Sequence, residues 1–298
     1  MLFCCREMED FVIGVEICED LWAPVPESTG LCLAGATVIA NLSASNELIG
    51  KDEYRRLLVS SASSRLICGY VYANAGHGES TQDMVFSGHS LIYENGQLLA
   101  EKKPFAKSGL IATEIDLFRL RFERHRNTSF DESGASECRR IYFSQELRDT
   151  ELTRHIARRP FVPADGEILA ERAAAILSIQ SDGLMRRIEH TGCRKAVIGI
   201  SGGLDSTLAL LVMVRAMDML GRPRKDIAAV TMPCFGTTER TRSNAEKLCE
   251  ELGVSFMTVD ISAAVRQHFA DIGHDEGCTD VTYENCQARE RTQVLMDI

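Results

Sequence analysis

Two short stretches carry residue types that could do chemistry. The first, SGGLDS over 201–206, follows the apolar run KAVIGI. A strand that empties into hydroxyls, paired glycines and an acid is suited to gripping an anion. Gly202 and Gly203 let backbone amides approach phosphate, Ser201 and Ser206 offer hydroxyl donors, and the helix that follows adds the positive end of its dipole. Asp205 would repel phosphate unless a divalent cation stood between them, so magnesium is expected at this carboxylate. A Walker-type loop needs a lysine after its last glycine, and this stretch has none. A lone Gly-Gly pair would equally be a turn capped by Asp205 at a helix start. The second stretch, GVEICEDLWAP over 14–24, puts Cys18 just past an apolar run. A strand end can present a thiol nucleophile on a sharp turn, although a buried structural thiol is the default for any single cysteine.

The elements that must position these residues differ between the two halves. In residues 11–117, FVIGVEIC, ATVIANL and CGYVYAN read as strands. SLIYENGQLLAE carries Asn95-Gly96 between alternating segments, a strong hairpin signal. KDEYRRLLVSSASSRL places Tyr54, Leu57, Leu58 and Ala62 at helical spacing. From Phe118 to Pro163 the texture turns charged and aperiodic, which predicts a connecting segment over the surface. Its basic cluster lacks interleaved aromatics and reads as a solvated face. Beyond it, helix 166–190, strand KAVIGI, helix 206–219, strand IAAVTM, helix 242–252, strand VSFMTVD and a helix from Ala263 alternate. That order predicts a parallel sheet with helices on both faces. The expected division is 1–117, a connector at 118–163, and 164–298.

Bulk properties favour small-molecule chemistry. The chain has 298 residues, 45% of them hydrophobic and 26% charged, with a formal net charge of −10. This acidity disfavours a nucleic-acid binder without forbidding one local phosphate site. No stretch is long and apolar enough for a membrane helix. Eleven cysteines lie at irregular intervals with no CxxC pair, and Cys4-Cys5 lacks metal-ligand spacing. A reducing, cytoplasmic setting is expected.

SGGxDS resembles the signature of the PP-loop ATP pyrophosphatases, which cleave ATP between its alpha and beta phosphates. The Cys18 stretch resembles the nucleophile region of nitrilase-like amidohydrolases, and AGATVIANLSASNELIGKDEYRR with GESTQDMVFSGHSLIYENG resembles glutaminase domains of that superfamily. With TMPCFGTTERTRSNAEKL and HFADIGHDEGCTDVTYENCQARERTQVLMDI, the chain resembles the glutamine-dependent NAD+ synthetases over nearly its whole length. Cys234 stands where that family's loop leads one to expect glycine.

The resemblance implies an α/β chain: a partial nitrilase-like αββα sandwich followed by a partial Rossmann-like, adenine nucleotide alpha hydrolase-like parallel sheet. It implies ATP-dependent amidation of nicotinic acid adenine dinucleotide (deamido-NAD) through an adenylylated intermediate, with ammonia from glutamine. Adenylylation serves a chemical need, because a carboxylate oxygen leaves poorly whereas AMP departs readily. By the same resemblance Cys18 is the nucleophile, and Ser45 and Lys51 contact glutamine. Gly199, Ile200, Ser201, Gly202, Gly203, Leu204, Asp205 and Ser206 hold ATP, Asp205 ligates magnesium, and Arg289 and Asn285 contact deamido-NAD. Arg289 and Asn285 lie four apart, on one face of a helix. The expected partners are these small molecules, with neither nucleic acid nor membrane, and the parent is expected to be a homo-oligomer.

In nitrilase chemistry a glutamate and a lysine well upstream of the cysteine manage protons and charge. Seventeen residues precede Cys18, so an internal fragment with little activity of its own is expected. The rival readings are another PP-loop glutamine amidotransferase and a noncatalytic remnant of both scaffolds.

Overall fold

Aromatic residues concentrate in the first half of the chain, where seven strands assemble one broad sheet. The structure, a computed structural model, describes all residues except 77, 108, 131–136 and 236–238, and no side chain over 239–242. Two units emerge, Met1–Ala157 and Arg158–Ile298.

In the first unit the strands are β1 (Leu2–Cys5), β2 (Val12–Ile17), β3 (Val38–Ser43), β4 (Gly69–Asn74), β5 (Ser90–Glu94), β6 (Gln97–Lys102) and β7 (Arg140–Phe143). They lie in the order β6-β5-β4-β3-β2-β1-β7. The central strands β2, β3 and β4 run parallel, with Ile13 opposite Val38 and Ile39 opposite Tyr70. The hairpin β5–β6 turns at Asn95 and Gly96, both at positive φ (45° and 80°), the conformation an Asn-Gly pair favours. Helices α1 (Glu27–Leu33) and α2 (Lys51–Arg65) cover the face formed by Ile39, Tyr70 and Tyr72. Leu31, Val59, Ala62 and Leu66 fill the core between them. On the other face, Ile13, Val38, Ala40 and Val71 line an apolar cavity of about 470 Å³ with Phe11, Ile115, Leu117 and Leu147.

The segment 118–163, expected as a connector, instead contributes two elements to this unit. Helix α3 (Leu117–Arg126) buries Leu120 completely. Strand β7 pairs in parallel with β1, Leu2 opposite Arg140. The reason is visible at Arg124, which is buried and donates to the carbonyls of Ile67, Ala36 and Leu66 at 3.0, 2.7 and 3.0 Å. A guanidinium that satisfies loop carbonyls looks like surface charge in a sequence and works as core. Farther on, Arg154 makes a bidentate pair with the buried Glu94 at 2.8 and 3.1 Å.

The second unit contains the parallel strands β8 (Ala196–Gly199), β9 (Ile227–Thr231) and β10 (Ser255–Thr258), in the order β10-β9-β8. Its helices are α4 (Gly166–Thr191), α5 (Leu204–Met219), α6 (Glu239–Leu252), α7 (Ser262–Ile272) and α8 (Val281–Asp297). Alternate residues of β9 feed two cores. Ile227 and Ala229 pack with Ile188, Leu210, Met217 and Cys249, whereas Val230 packs with Ile261, Val265, Phe269 and Cys286. The expected parallel sheet with helices on both faces is therefore present. Among the described residues no disulfide joins any of the cysteines. Among the described residues no helix is long and apolar enough to cross a membrane.

Candidate thiol and phosphate sites

Strand β2 ends in a 3-10 turn, Cys18–Trp22, and Cys18 itself takes a φ of +51°. A side chain in the left-handed region costs about 1–2 kcal/mol relative to ordinary backbone, and such strain persists only where the surroundings impose it. Several groups impose it here. The Asp20 carboxylate accepts from the Ile17 amide at 2.7 Å. Asn41 on β3 reaches the Cys18 carbonyl at 3.4 Å. Two residues before the cysteine, Glu16 is 2% exposed. Its carboxylate accepts from the Ser28 amide at 2.8 Å, from Asn41 at 3.3 Å and from the Tyr70 hydroxyl. Burial, and then the charge of Glu16, hold the Tyr70 phenol well above its usual range. Glu16 is thus a fully engaged strut under the turn, and Glu19 beside it is exposed.

Ser45 and Lys51 flank the same turn. The Ser45 amide donates to Asn74 at 2.8 Å and its carbonyl accepts from the Asn74 amide group at 3.1 Å, which fixes the backbone while the hydroxyl stays buried without a partner. The Tyr72 hydroxyl is in the same condition. Its phenol is raised above the ordinary value chiefly by burial, with Ser43, Ser45 and Cys18 among its neighbours. Two buried, unsatisfied hydroxyls near a thiol are positioned to bond a polar ligand, because an unmade buried bond costs about 1–3 kcal/mol. Lys51 opens α2, donates to Asn46 at 2.8 Å and stands 5.4 Å from the ring centre of Trp22, the last residue of the thiol turn. The sequence pointed to Cys18, Ser45 and Lys51; it gave no signal for Tyr72, Asn41 or the strut role of Glu16.

In the second unit Gly199 ends β8, and Ile200 continues the pairing by donating to the Val230 carbonyl at 2.9 Å. The Ile200 side chain is buried in the core, so this position can offer a ligand backbone alone. A Cβ on Gly199 would stand 3.2 Å from both Leu295 and Met232, which shows how closely α8 packs over this strand end. Gly202 has a φ of +80°, a conformation that favours glycine. Gly203 precedes α5 with no side-chain cap bond, leaving the first-turn amides open to an anion. The Ser201 and Ser206 hydroxyls lie 3.1 Å apart, and Ser206 also bonds the Gly203 carbonyl at 3.1 Å. Leu204 and Asp205 are exposed in the first turn of α5. An exposed carboxylate beside an open amide nest suits a hard cation that bridges to phosphate. Asn285 and Arg289 are exposed on one face of α8 and line a shallow groove with Ala288, Thr292, Gln293 and Met296. Residues 236–238 of the loop after Cys234 lie outside the described residues.

Both stretches lie within the length of chain that aligns with known proteins. Residues 176–298 match the family model described as NAD synthase. The chain is 45% identical over 311 aligned residues to the glutamine-dependent NAD(+) synthetase of Mycobacterium tuberculosis, covering all of this chain and 46% of that protein. It is 46% identical over 308 residues to the enzyme of Mycobacterium leprae, covering 99% of this chain and 45% of that one. Among solved structures, glutamine-dependent NAD+ synthetase from Acinetobacter baumannii, in complex with adenosine diphosphate, aligns with a TM-score of 0.39 and 22% identity, covering 100% of this chain and 47% of that one. The chain spans just under half the length of these relatives.

Proposed function

We propose, from the premise that this chain is a relative of the glutamine-dependent NAD(+) synthetases along its whole length, that it carries parts of both of their half-reactions. The observation that supports this reading is the presence in one chain of a thiol on a strained strand-end turn and an open glycine loop at a helix start. In the first unit the Cys18 thiolate attacks the side-chain amide carbon of glutamine. Ammonia leaves, a thioester remains, and water then releases glutamate and restores the thiol. The Ser45 hydroxyl and Lys51 hold the glutamine, with the Tyr72 hydroxyl beside them.

In the second unit the amides of Ser201–Ser206 and the two serine hydroxyls bind the phosphates of ATP. Asp205 would hold magnesium, which neutralises phosphate charge when bound. The carboxylate of deamido-NAD, placed by Asn285 and Arg289, attacks the alpha phosphorus and expels pyrophosphate. Ammonia then displaces AMP and leaves the amide of NAD+. We further propose a cytoplasmic, homo-oligomeric parent protein.

The test compares the 298-residue chain with a form lengthened at both ends by the matching segments of the Mycobacterium tuberculosis relative. The lengthened form should make NAD+ from deamido-NAD and ATP with either glutamine or ammonium. Cys18→Ala should keep the ammonium reaction and lose the glutamine reaction. Amination of xanthylate or aspartate in place of deamido-NAD would overturn the substrate assignment. Equal loss with both nitrogen donors would overturn the role of Cys18.

A further inference from the structure

We propose that His274, Cys278 and Asp280, in the loop joining α7 to α8, form a site for a thiophilic divalent cation, with zinc the best fit. A ring nitrogen of His274, the Cys278 sulfur and an Asp280 carboxylate oxygen all lie within 4.8 Å of one another. Zinc bonds of about 2.0–2.3 Å in a tetrahedral arrangement set ligand atoms about 3.3–3.8 Å apart. The Cys278 sulfur therefore needs to approach by up to about 1 Å, a movement that rotation of its exposed side chain can supply, while the 2.9 Å His274–Asp280 pair opens slightly to admit the ion.

The imidazole is already held in place. It packs on Phe269 at 4.9 Å between ring centres, and its Nε2 donates to the Asp280 carboxylate at 2.9 Å. A cation shared with Asp280 takes the place of the proton on Nε2, the ring atom that faces it, and Nδ1, buried with no partner, is left to carry the ring proton. Asp280 accepts from the amides of Thr282 and Tyr283 at 2.9 and 3.0 Å. The loop backbone is fixed as well: the His274 amide donates to Phe269, and those of Gly277 and Cys278 donate to Asp275.

Softness selects the ion. A thiolate with an imidazole suits zinc, cobalt or nickel, whereas magnesium prefers an all-oxygen set. Binding displaces the Cys278 proton to solvent and leaves a fourth position for water. A filled site would clamp the start of α8, the helix that carries Asn285 and Arg289. It stands apart from the magnesium expected at Asp205, and it does not depend on the proposed enzymatic reaction.

Cys278 and Cys193 are both exposed thiols, which supplies an internal control. The 298-residue chain is treated with iodoacetamide with and without zinc chloride, and alkylation is followed at each cysteine by peptide mass spectrometry. Zinc should slow alkylation of Cys278 by about tenfold or more while leaving Cys193 unchanged, since a metal-bound thiolate is withheld from the reagent. His274→Gln and Asp280→Asn should each remove the protection. The second change keeps a good helix cap, so it serves if the first disturbs folding. With cobalt, a near-ultraviolet sulfur-to-metal band should appear and be absent in Cys278→Ser. Equal alkylation of both thiols in zinc, or protection that survives both substitutions, overturns the proposal.

Discussion

Both candidate sites sit where a strand ends, yet the turn at Cys18 is braced from beneath by buried side chains, whereas the loop at Gly202 is braced by almost none. Under the thiol, Glu16, Asn41, Tyr70 and the start of α1 form a closed hydrogen-bonded set. The SGGLDS loop is largely exposed, and among the described residues its side-chain bonds join its own serines and glycine backbone. A nucleophile must be held at one place and angle, so the strain at Cys18 calls for a rigid bed. A phosphate cradle works through amide protons, and it requires room more than props.

The largest expected effect breaks the brace. Glu16→Ala would leave the Ser28 amide and the Tyr70 hydroxyl without an acceptor and take one of three bonds from the Asn41 amide group, and should destabilise the first unit by about 3 kcal/mol or more. Urea unfolding followed by a probe in that unit would show it. A change under about 1 kcal/mol would mean that the network is not a strut. Next, the two loop glycines should separate. Gly202→Ala places a side chain at φ +80° and should destabilise the second unit by about 1–2 kcal/mol. Gly203 has an ordinary φ of −83°, so Gly203→Ala should leave stability nearly unchanged while weakening ATP binding, read by isothermal titration. Equal loss of stability from both would erase the distinction between conformational and approach roles.

The units should also differ in response to acid. His89 is buried, faces the Arg55 guanidinium at 2.7 Å and meets Glu101 at 2.9 Å. Burial, which outweighs the bond to Glu101, holds its pKa below 6.5. Because the folded state binds the proton less readily than the unfolded state, this contribution is complete above about pH 6.5 and is lost as pH falls through the lower folded value. The first unit should therefore soften on going from pH 7.5 to 5.5, read as melting temperature, and His89→Gln should flatten that slope.

The smallest effect is the most diagnostic of strain. Cys18→Gly should relieve the left-handed backbone and stabilise the first unit by up to about 1 kcal/mol while removing the thiol. Destabilisation instead would mean that the turn is held by the cysteine side chain itself.

Much of this was legible in the sequence because it rests on local rules. The Asn-Gly hairpin, the glycine loop between β8 and α5, and the alternation of the second unit each follow from neighbouring residues. Cys18 could be placed at a strand end for the same reason. The bracing could not, because Glu16, Asn41 and Tyr70 come from three strands and meet only through the register of β2, β3 and β4. Residues 118–163 misled for a related reason. The apolar payload of α3 is chiefly Leu120, and Arg124 earns its burial through carbonyls more than fifty residues away in sequence. The Ser45 hydroxyl was singled out by resemblance, and only the fold shows it buried and unpaired.

The most direct test of the account is to map where a glutamine-mimicking chloroketone attaches in the form lengthened at both ends. The account predicts one covalent adduct, at Cys18, suppressed by glutamine and absent in Cys18→Ala, with the other ten thiols of the 298-residue stretch unmodified at the same dose. Attachment spread over the exposed Cys193 and Cys278 with Cys18 untouched, and no effect of glutamine, would contradict it.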